Sequence, residues 1–317
     1  MFSEGSPKRT SVWKRLRRQY QIQLFVWPGL IFLAIFSYIP MFGLMIAFRN
    51  YDISSGIRGM FTDRWVGLKY FREFFKDPQS VFVLKNTFGL SMLKMVFSFP
   101  VPVLFAIMIT ETRHMGFRRF VQTASYLPHF ISWIIVSGLV FTFFSVDNGV
   151  INNVLSLFGG TRIPFITKPM YYWFLAIFTD IWKGMGWWAI IYIAAITSID
   201  PNLFEAAIID GAGRLQRIRY ITLPGIAGAV TVVLILSIGS LIGGGVSGSN
   251  FEQAMLIGNK LNVGQSEVIQ SYSLRNGLGM GRFSYGAAMG LMQSVFSVIL
   301  IFSSNALSKK ISGNSLF

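Results

Sequence analysis

The stretch DPNLFEAAIIDGAGRLQRIRYITLP, residues 200–224, stands between two long apolar runs and carries the signals of a short helix. Asp200 has a side chain able to cap a helix N-terminus, and Pro201 suits the first helical turn, where a backbone N–H would go unpaired anyway. Glu205 lies toward the positive end of the helix dipole, and Gly211 and Gly213 stop the helix after about ten residues. Ala206 and Ala207 leave one face without bulk, so another protein surface can approach closely. Beyond them come Arg214, Arg217 and Arg219, then Ile221-Thr222-Leu223-Pro224, where the proline opens the next apolar run. Two readings stand: an ordinary re-entry loop, or a short helix offered to a partner.

Outward from this loop, the chain is a series of membrane-length apolar windows. A spanning helix needs about 20 mostly apolar residues, and six windows qualify: 24–48, 86–110, 121–145, 171–197, 226–246 and 284–307. This predicts an all-α membrane protein with six transmembrane helices. An even number of spans puts both ends on one side. The first window runs too long for a secretory leader and lacks a small-residue cleavage site, so it reads as a retained helix. The expected organisation is a basic interfacial segment at 1–23, a six-helix domain over 24–307 containing the 200–225 loop, and a tail at 308–317.

Composition agrees. Hydrophobic residues make up 53% of the 317 and charged residues 13%, against roughly 25% charged in soluble domains, which excludes a soluble enzyme or a disordered chain. Zero cysteines exclude a disulfide framework and a cysteine nucleophile, and two histidines leave no histidine metal cluster. The net charge of +15 does not point to nucleic acid, because the basic residues are spread among loops, densest at Lys8, Arg9, Lys14, Arg15, Arg17 and Arg18. With the N-terminus inside, the inner segments hold 14 Lys and Arg in 71 residues and the outer ones 12 in 99. Higher basic density marks the cytoplasmic side, so N-in and C-in is expected. In the first outer loop, GLKYFREFFKD (67–77) puts Tyr70, Phe71, Phe74 and Phe75 opposite Lys69, Arg72 and Lys76. That pattern fits a helix lying in the membrane surface or a lid packed on the helix ends.

The string EAAIIDGAGRLQRIRYITLP, Glu205 to Pro224, resembles the EAA loop of permease subunits in bacterial ABC importers that work with a solute-binding protein. Glu205, Ala206, Ala207, Asp210, Gly211, Ala212, Gly213, Ile221, Leu223 and Pro224 all fall on that pattern. Further segments, WPGLIFLAIFSYIP (27–40), FEQAMLIGNK (251–260) and FSYGAAMGLMQSV (283–295), are similar to the carbohydrate branch, including the oligosaccharide, polysaccharide and maltose-type permeases. The resemblance implies a type I (MetI-like) importer core in the bacterial cytoplasmic (inner) membrane. It also implies a homologous second permease, two ATPase subunits, and an extracytoplasmic solute-binding protein. The short helix would then be the coupling helix, docked on the ATPase. No cofactor is expected on this chain. It lacks a G-x-x-x-x-G-K-[ST] loop, Gly243–Gly245 being without the lysine, so ATP and Mg would sit on the partner.

Charges inside apolar windows are costly and face a cavity or a partner. This chain offers Lys94 in the second window and Asp180 with Lys183 in the fourth. Asp180, Lys183, Gly184 and Trp187 share one helical face, a polar stripe with a flat aromatic that suits a sugar's hydroxyls and C–H face. The plainer alternative is an Asp180–Lys183 pair that neutralises itself against a neighbouring helix. Lys94 either faces the cavity or snorkels to the outer surface. Resemblance to the maltose-type permeases places substrate contacts at Asp180, Lys183, Gly184 and Trp187 and at Ser237, Gly239 and Ser240. Pro100, Pro102 and Pro128 can kink their helices or simply bend them for packing.

The leading reading is a permease that moves an oligosaccharide by alternating access. Basic outer loops, Lys94 and Lys183 would steer an anionic ligand, making a uronate-containing oligosaccharide the sharper hypothesis and a neutral one its competitor. A secondary transporter would leave the EAA string without a purpose, and beyond Asp180 the spans offer no acidic relay. A membrane enzyme has no nucleophile–base constellation to use.

Overall fold

The computed structural model describes residues 19–244 and 247–312. Most of the expected N-terminal segment, at 1–18, and the tail end, at 313–317, lie outside the described residues.

Helix α1 (Tyr20–Phe48) is one continuous apolar run of 29 residues. It passes through a π turn at Ala34–Tyr38 and tightens to 3-10 geometry at Phe42–Phe48. Almost none of it is buried inside the chain, and Phe25 and Phe36 stand 81% and 64% exposed. Helix α2 (Lys69–Lys76) follows, then α3 (Pro78–Thr110), whose 33 residues are interrupted by a turn after Phe97 and resume at Pro100. Pro100 thus begins a helical segment, where a proline lacks nothing.

Helices α4 (Met115–Phe130) and α5 (Trp133–Phe144) together occupy the third apolar window, but they meet at 104°. Pro128 sits in the last turn of α4, and Ser132 caps α5 by accepting from the Ile135 amide. Helix α6 (Pro169–Thr197) runs unbroken for 29 residues. Length would carry it about 43 Å at 1.5 Å per residue, although Asp180 and Lys183 dilute its apolar character. After the short α7 (Pro201–Ile209), α8 (Arg214–Gly225) and α9 (Ala227–Gly239) form a second bent pair, at 60°. Helix α10 (Asn250–Leu256) opens a closing segment of short helices at Val263–Ser266 and Ile269–Ser273. Helix α11 (Phe283–Ser312) completes the chain. Among the described residues three helices are long and apolar enough to cross a membrane, α1, α3 and most of α11, or five if each bent pair counts as one span.

Three buried clusters hold this together. The end of α1, α2, α3 and α11 meet around Phe74, Tyr272, Tyr285 and Met289. Helices α3, α5 and α6 meet around Leu90, Val140, Tyr172 and Leu175. The second half of α3 packs on α6 and α9 through Ala106, Tyr192, Ile226 and Val233. Of the two readings of the 67–77 stretch, the lid is the observed one. Tyr70 and Phe74 are buried against Tyr285 and Tyr272, Phe71 lies 5.7 Å from Phe48, and only Phe75 of the four points outward, 58% exposed.

Candidate functional site

The loop after α6 is built by local rules. The Asp200 carboxylate accepts from the Asn202 amide at 3.0 Å, and Pro201 occupies the first turn of α7. No residue of α7 is buried, and Leu203, Ile208 and Ile209 stand 52%, 56% and 85% exposed. Glu205, Ala206 and Asp210 are exposed beside them and Ala207 is partly covered. The two glycines divide their work differently from expectation. Gly211 alone stops the helix, at φ +78°, while the amides of Gly211 and Ala212 bond back to Ile208 and Ala207. Gly213, at φ −69°, instead starts α8, its amide donating to the Gln216 side chain at 2.7 Å. Arg214 then reaches Glu111 at the end of α3, 3.1 Å away. Leu223 and Pro224 follow a π turn at Ile218–Thr222.

The intramembrane charges pair differently from the Asp180–Lys183 alternative. Asp180 faces Lys94, 3.7 Å away, with both side chains only 2% exposed. Between them stands Ser249, which accepts from Lys94 Nζ at 2.7 Å and donates to Asp180 Oδ1 at 2.6 Å. Gln253 on α10 accepts from Lys94 at 2.7 Å and donates to the Ala176 carbonyl and the Thr179 hydroxyl on α6. Asn250 donates to Ser91 on α3. Lys94 therefore neither snorkels outward nor stands free. It joins α3 to α6 through the closing segment.

Lys183, one turn along α6 from Asp180, has a different environment. Its ammonium donates to the backbone carbonyls of Pro128 and His129, at the bend between α4 and α5, and lies 5.7 Å over the Trp133 ring. Lys183 thus ties α6 to that bend, adding a donor to carbonyls at the end of α4, where the Ile131 amide also bonds the Pro128 carbonyl. It borders a cavity of about 320 Å³ with His129, Trp133, Asp180, Gly184 and Trp188. A second cavity adjoins it, sharing Asp180, Trp188 and Ser247, and is lined also by Lys94, Ser98 and Ser237. Ser237 is 3% exposed, and among the described residues neither its hydroxyl nor that of Ser98 has a hydrogen-bond partner.

Of the residues expected along a pathway, Asp180, Lys183, Gly184, Ser237 and Lys94 line these two cavities. Trp187 does not; it stacks on His129 at 4.3 Å with the rings 3° from parallel. Gly239 serves packing, since a Cβ there would sit 2.4 Å from Ile301 on α11. Ser240 is exposed, and its hydroxyl donates to the Leu236 carbonyl. Ser249, Asn250, Gln253, Ser98 and Trp188 were not anticipated. A buried lysine needs acceptors, but nothing local says which of many polar residues supplies them.

The closing segment is fastened by side chains that satisfy backbone groups. Asn86 donates to the carbonyls of Gly264 and Glu267, Trp173 to that of Gln265, and Asn262 to that of Ile166. Burial pushes the Glu267 carboxyl above the usual range, against the opposing pull of Arg275 at 2.7 Å, with Asp77 adding to the rise. Tyr272 is pushed up as well, by burial and by its bond to Asp77.

Residues 98–313, from the turn in α3 through the bent pairs to the end of α11, match the family described as the binding-protein-dependent transport system inner membrane component. The chain belongs to that family. It is 40% identical over 310 residues to the polygalacturonan/rhamnogalacturonan transport system permease protein YteP of Bacillus subtilis (strain 168), covering 98% of this chain and 94% of that one. Protein LplB of the same organism is 39% identical over 302 residues, covering 95% of this chain and 92% of its own. The structure is similar to that of a bacterial ABC transporter involved in the import of the acidic polysaccharide alginate. There the TM-score is 0.86 and the identity 37%, over 96% of this chain and all of that one. A structure of the bacterial alginate ABC transporter in complex with its alginate pentasaccharide-bound periplasmic protein matches equally well, at TM-score 0.87 and 36% identity over 97% of this chain and all of that one. The chain is thus a carbohydrate-branch permease of an ABC importer, all-helical with the MetI-like fold and a component of the inner membrane. It is a transport subunit and not an enzyme, the ATPase being separate.

Proposed function

We propose that this permease carries an acidic, uronate-containing oligosaccharide into the cytoplasm by alternating access, driven by ATP on its partner subunits. The observation that carries the acidic part is Lys183. It borders a cavity walled by aromatic rings, and among the described residues its hydrogen bonds go to neutral carbonyl oxygens, so its charge remains available to a carboxylate. Lys94 lacks that freedom, because Asp180 answers it. The relatives named for polygalacturonan and alginate agree with this choice.

The assembly on this reading has a second homologous permease beside this one, two ATPase subunits carrying ATP and Mg, and a solute-binding protein outside. The exposed α7, with Glu205 and the apolar Ile208 and Ile209, is the surface offered to the ATPase, and the Arg214–Glu111 pair passes its movement to α3. Six spans, α1, α3, α4–α5, α6, α8–α9 and α11, with both ends inside, follow if each bent pair crosses once and α6 crosses despite its charges.

Copurification from native membranes followed by a substrate-stimulated ATPase assay tests the assembly. A second permease and an ATPase are expected, with stimulation lost in Glu205→Lys; a lone transporter indifferent to that change would overturn it. Lys183→Met tests the substrate class. Uptake of a uronic acid tetramer should fall about tenfold or more, the scale of one charge-assisted hydrogen bond. Uptake unaffected by the change would leave a neutral oligosaccharide as the cargo.

A further inference from the structure

We infer that the start of α4 and the helix α8 form one surface for anionic phospholipid headgroups, at the base of the loop that carries α7. This rests on the reading of α7 as the cytoplasmic, ATPase-facing helix and adds a second partner, the membrane itself. The two segments are distant in the chain and stitched together in space. Arg214, which opens α8, pairs with Glu111 at 3.1 Å and also donates to its backbone carbonyl, and Glu111 ends α3 just ahead of α4. Together the segments carry six arginines, Arg113, Arg118, Arg119, Arg214, Arg217 and Arg219. Among the described residues only Arg214 of these forms an ion pair.

Charge is segregated along this loop. From Asp200 to Gly213, around α7, the chain has three acids, Asp200, Glu205 and Asp210, and neither Lys nor Arg; from Arg214 to Tyr220 it has three arginines and no acid. An acidic helix beside a basic one suits two partners of opposite charge, a protein surface for the first and a polyanion for the second. The membrane is that polyanion, because large apolar side chains interleave with the arginines. Met115, Phe117 and Phe120 in α4 and Leu215 and Tyr220 in α8 are exposed, Phe120 by 71% and Leu215 by 80%. Apolar groups beside cations match the depth at which acyl chains give way to phosphates, and the cytoplasmic leaflet carries anionic lipid. The direction of α8 agrees, since it meets α9 at 60° rather than prolonging it. The Arg219 guanidinium lies 5.8 Å over the Tyr220 ring, an amphipathic pairing suited to the headgroup layer. Headgroups held by both segments brace α8 against α4, so that a displacement of α7 passes on to α9.

The test places the complete importer in nanodiscs of phosphatidylcholine, alone or mixed with phosphatidylglycerol. Lipid retained on the complex is counted by native mass spectrometry, and substrate-stimulated ATP hydrolysis is measured on the same samples. Phosphatidylglycerol should be retained in preference to phosphatidylcholine, and the stimulated rate should rise severalfold in its presence. The exposed pair Arg119→Gln/Arg219→Gln should weaken the preference by about fivefold for each arginine removed and reduce the gain in rate. Arg119→Lys/Arg219→Lys should keep both, which separates loss of charge from loss of fold, and high salt should act as the glutamines do. Equal retention of the two lipids by the wild type, or a preference untouched by the glutamine variant, would overturn the lipid surface. So would loss of the ATPase subunits from that variant with lipid retention unchanged, which would give the arginines to a protein partner. Phosphatidylglycerol retained with no change in rate would overturn the bracing of α8. Failure of the α7 reading itself is distinct, for it shows as Glu205→Lys leaving stimulated hydrolysis intact in either lipid.

Discussion

The loop around α7 and the charged centre around Lys94 are both polar interruptions of an apolar chain, and they are built by opposite means. The loop is made of neighbours: Asp200 caps Asn202, Gly211 turns the chain at φ +78°, and Gly213 closes onto Gln216. The centre is made of strangers. Lys94, Asp180, Ser249 and Gln253 come from α3, α6 and the closing segment, Lys94 and Ser249 being 155 positions apart in the chain. An exposed device needs only its own backbone satisfied, so short-range signals suffice. A buried charge must find complementary groups wherever the fold brings them. The first kind of site keeps its shape independently of the body, and the second is part of what holds the body together.

That contrast breaks most sharply at the buried pair. Lys94→Met leaves the buried Asp180 without its cation, a loss of about 3–5 kcal/mol, so thermal unfolding of the purified subunit should shift far down. Lys94→Met/Asp180→Leu should recover much of it, and a double variant no better than the single would mean that the charges are hydrated independently. Gln253→Ala removes the bridge from Lys94 to the Ala176 carbonyl, for which about 1–3 kcal/mol is expected by the same measurement. A shift as small as that of an exposed residue would place the closing segment outside the stable core.

Changes in the loop should be smaller and should separate coupling from stability. Gly211→Ala forces a Cβ into the left-handed region at a cost of about 1 kcal/mol, read as a lower rate of coupled ATP hydrolysis with little change in the melting temperature. Arg214→Ala, which breaks a half-exposed pair with Glu111, should cost no more than about 0.5–1 kcal/mol, the scale of surface pairs, and less at high salt. A larger thermal shift from Arg214→Ala than from Gln253→Ala would invert the comparison.

Several elements could be read directly from the chain. The apolar windows at 24–48 and 284–307 correspond to α1 and most of α11, and the Asp200–Gly211 helix lies where its cap and stop signals put it. The third window is less simple. Its residues are mostly apolar, yet they fold as two helices at 104°, a bend that Pro128 signals without stating its size. The sequence places Lys183 on a polar helical face, but its partners, the carbonyls of Pro128 and His129, come within its reach only once that bend has formed.

Hydrophobic length, capping residues and a positive-φ glycine are properties of a few adjacent residues, and so the helical membrane character and the protruding loop are written in the chain itself. Which lysine is neutralised and which keeps its charge is not. Lys94 and Lys183 are both lone cations in apolar windows. Only the packing of α3, α6 and α10 gives Asp180 to the first and leaves the second to the cavity, because electrostatic compensation depends on distances of a few ångströms between segments far apart in the chain.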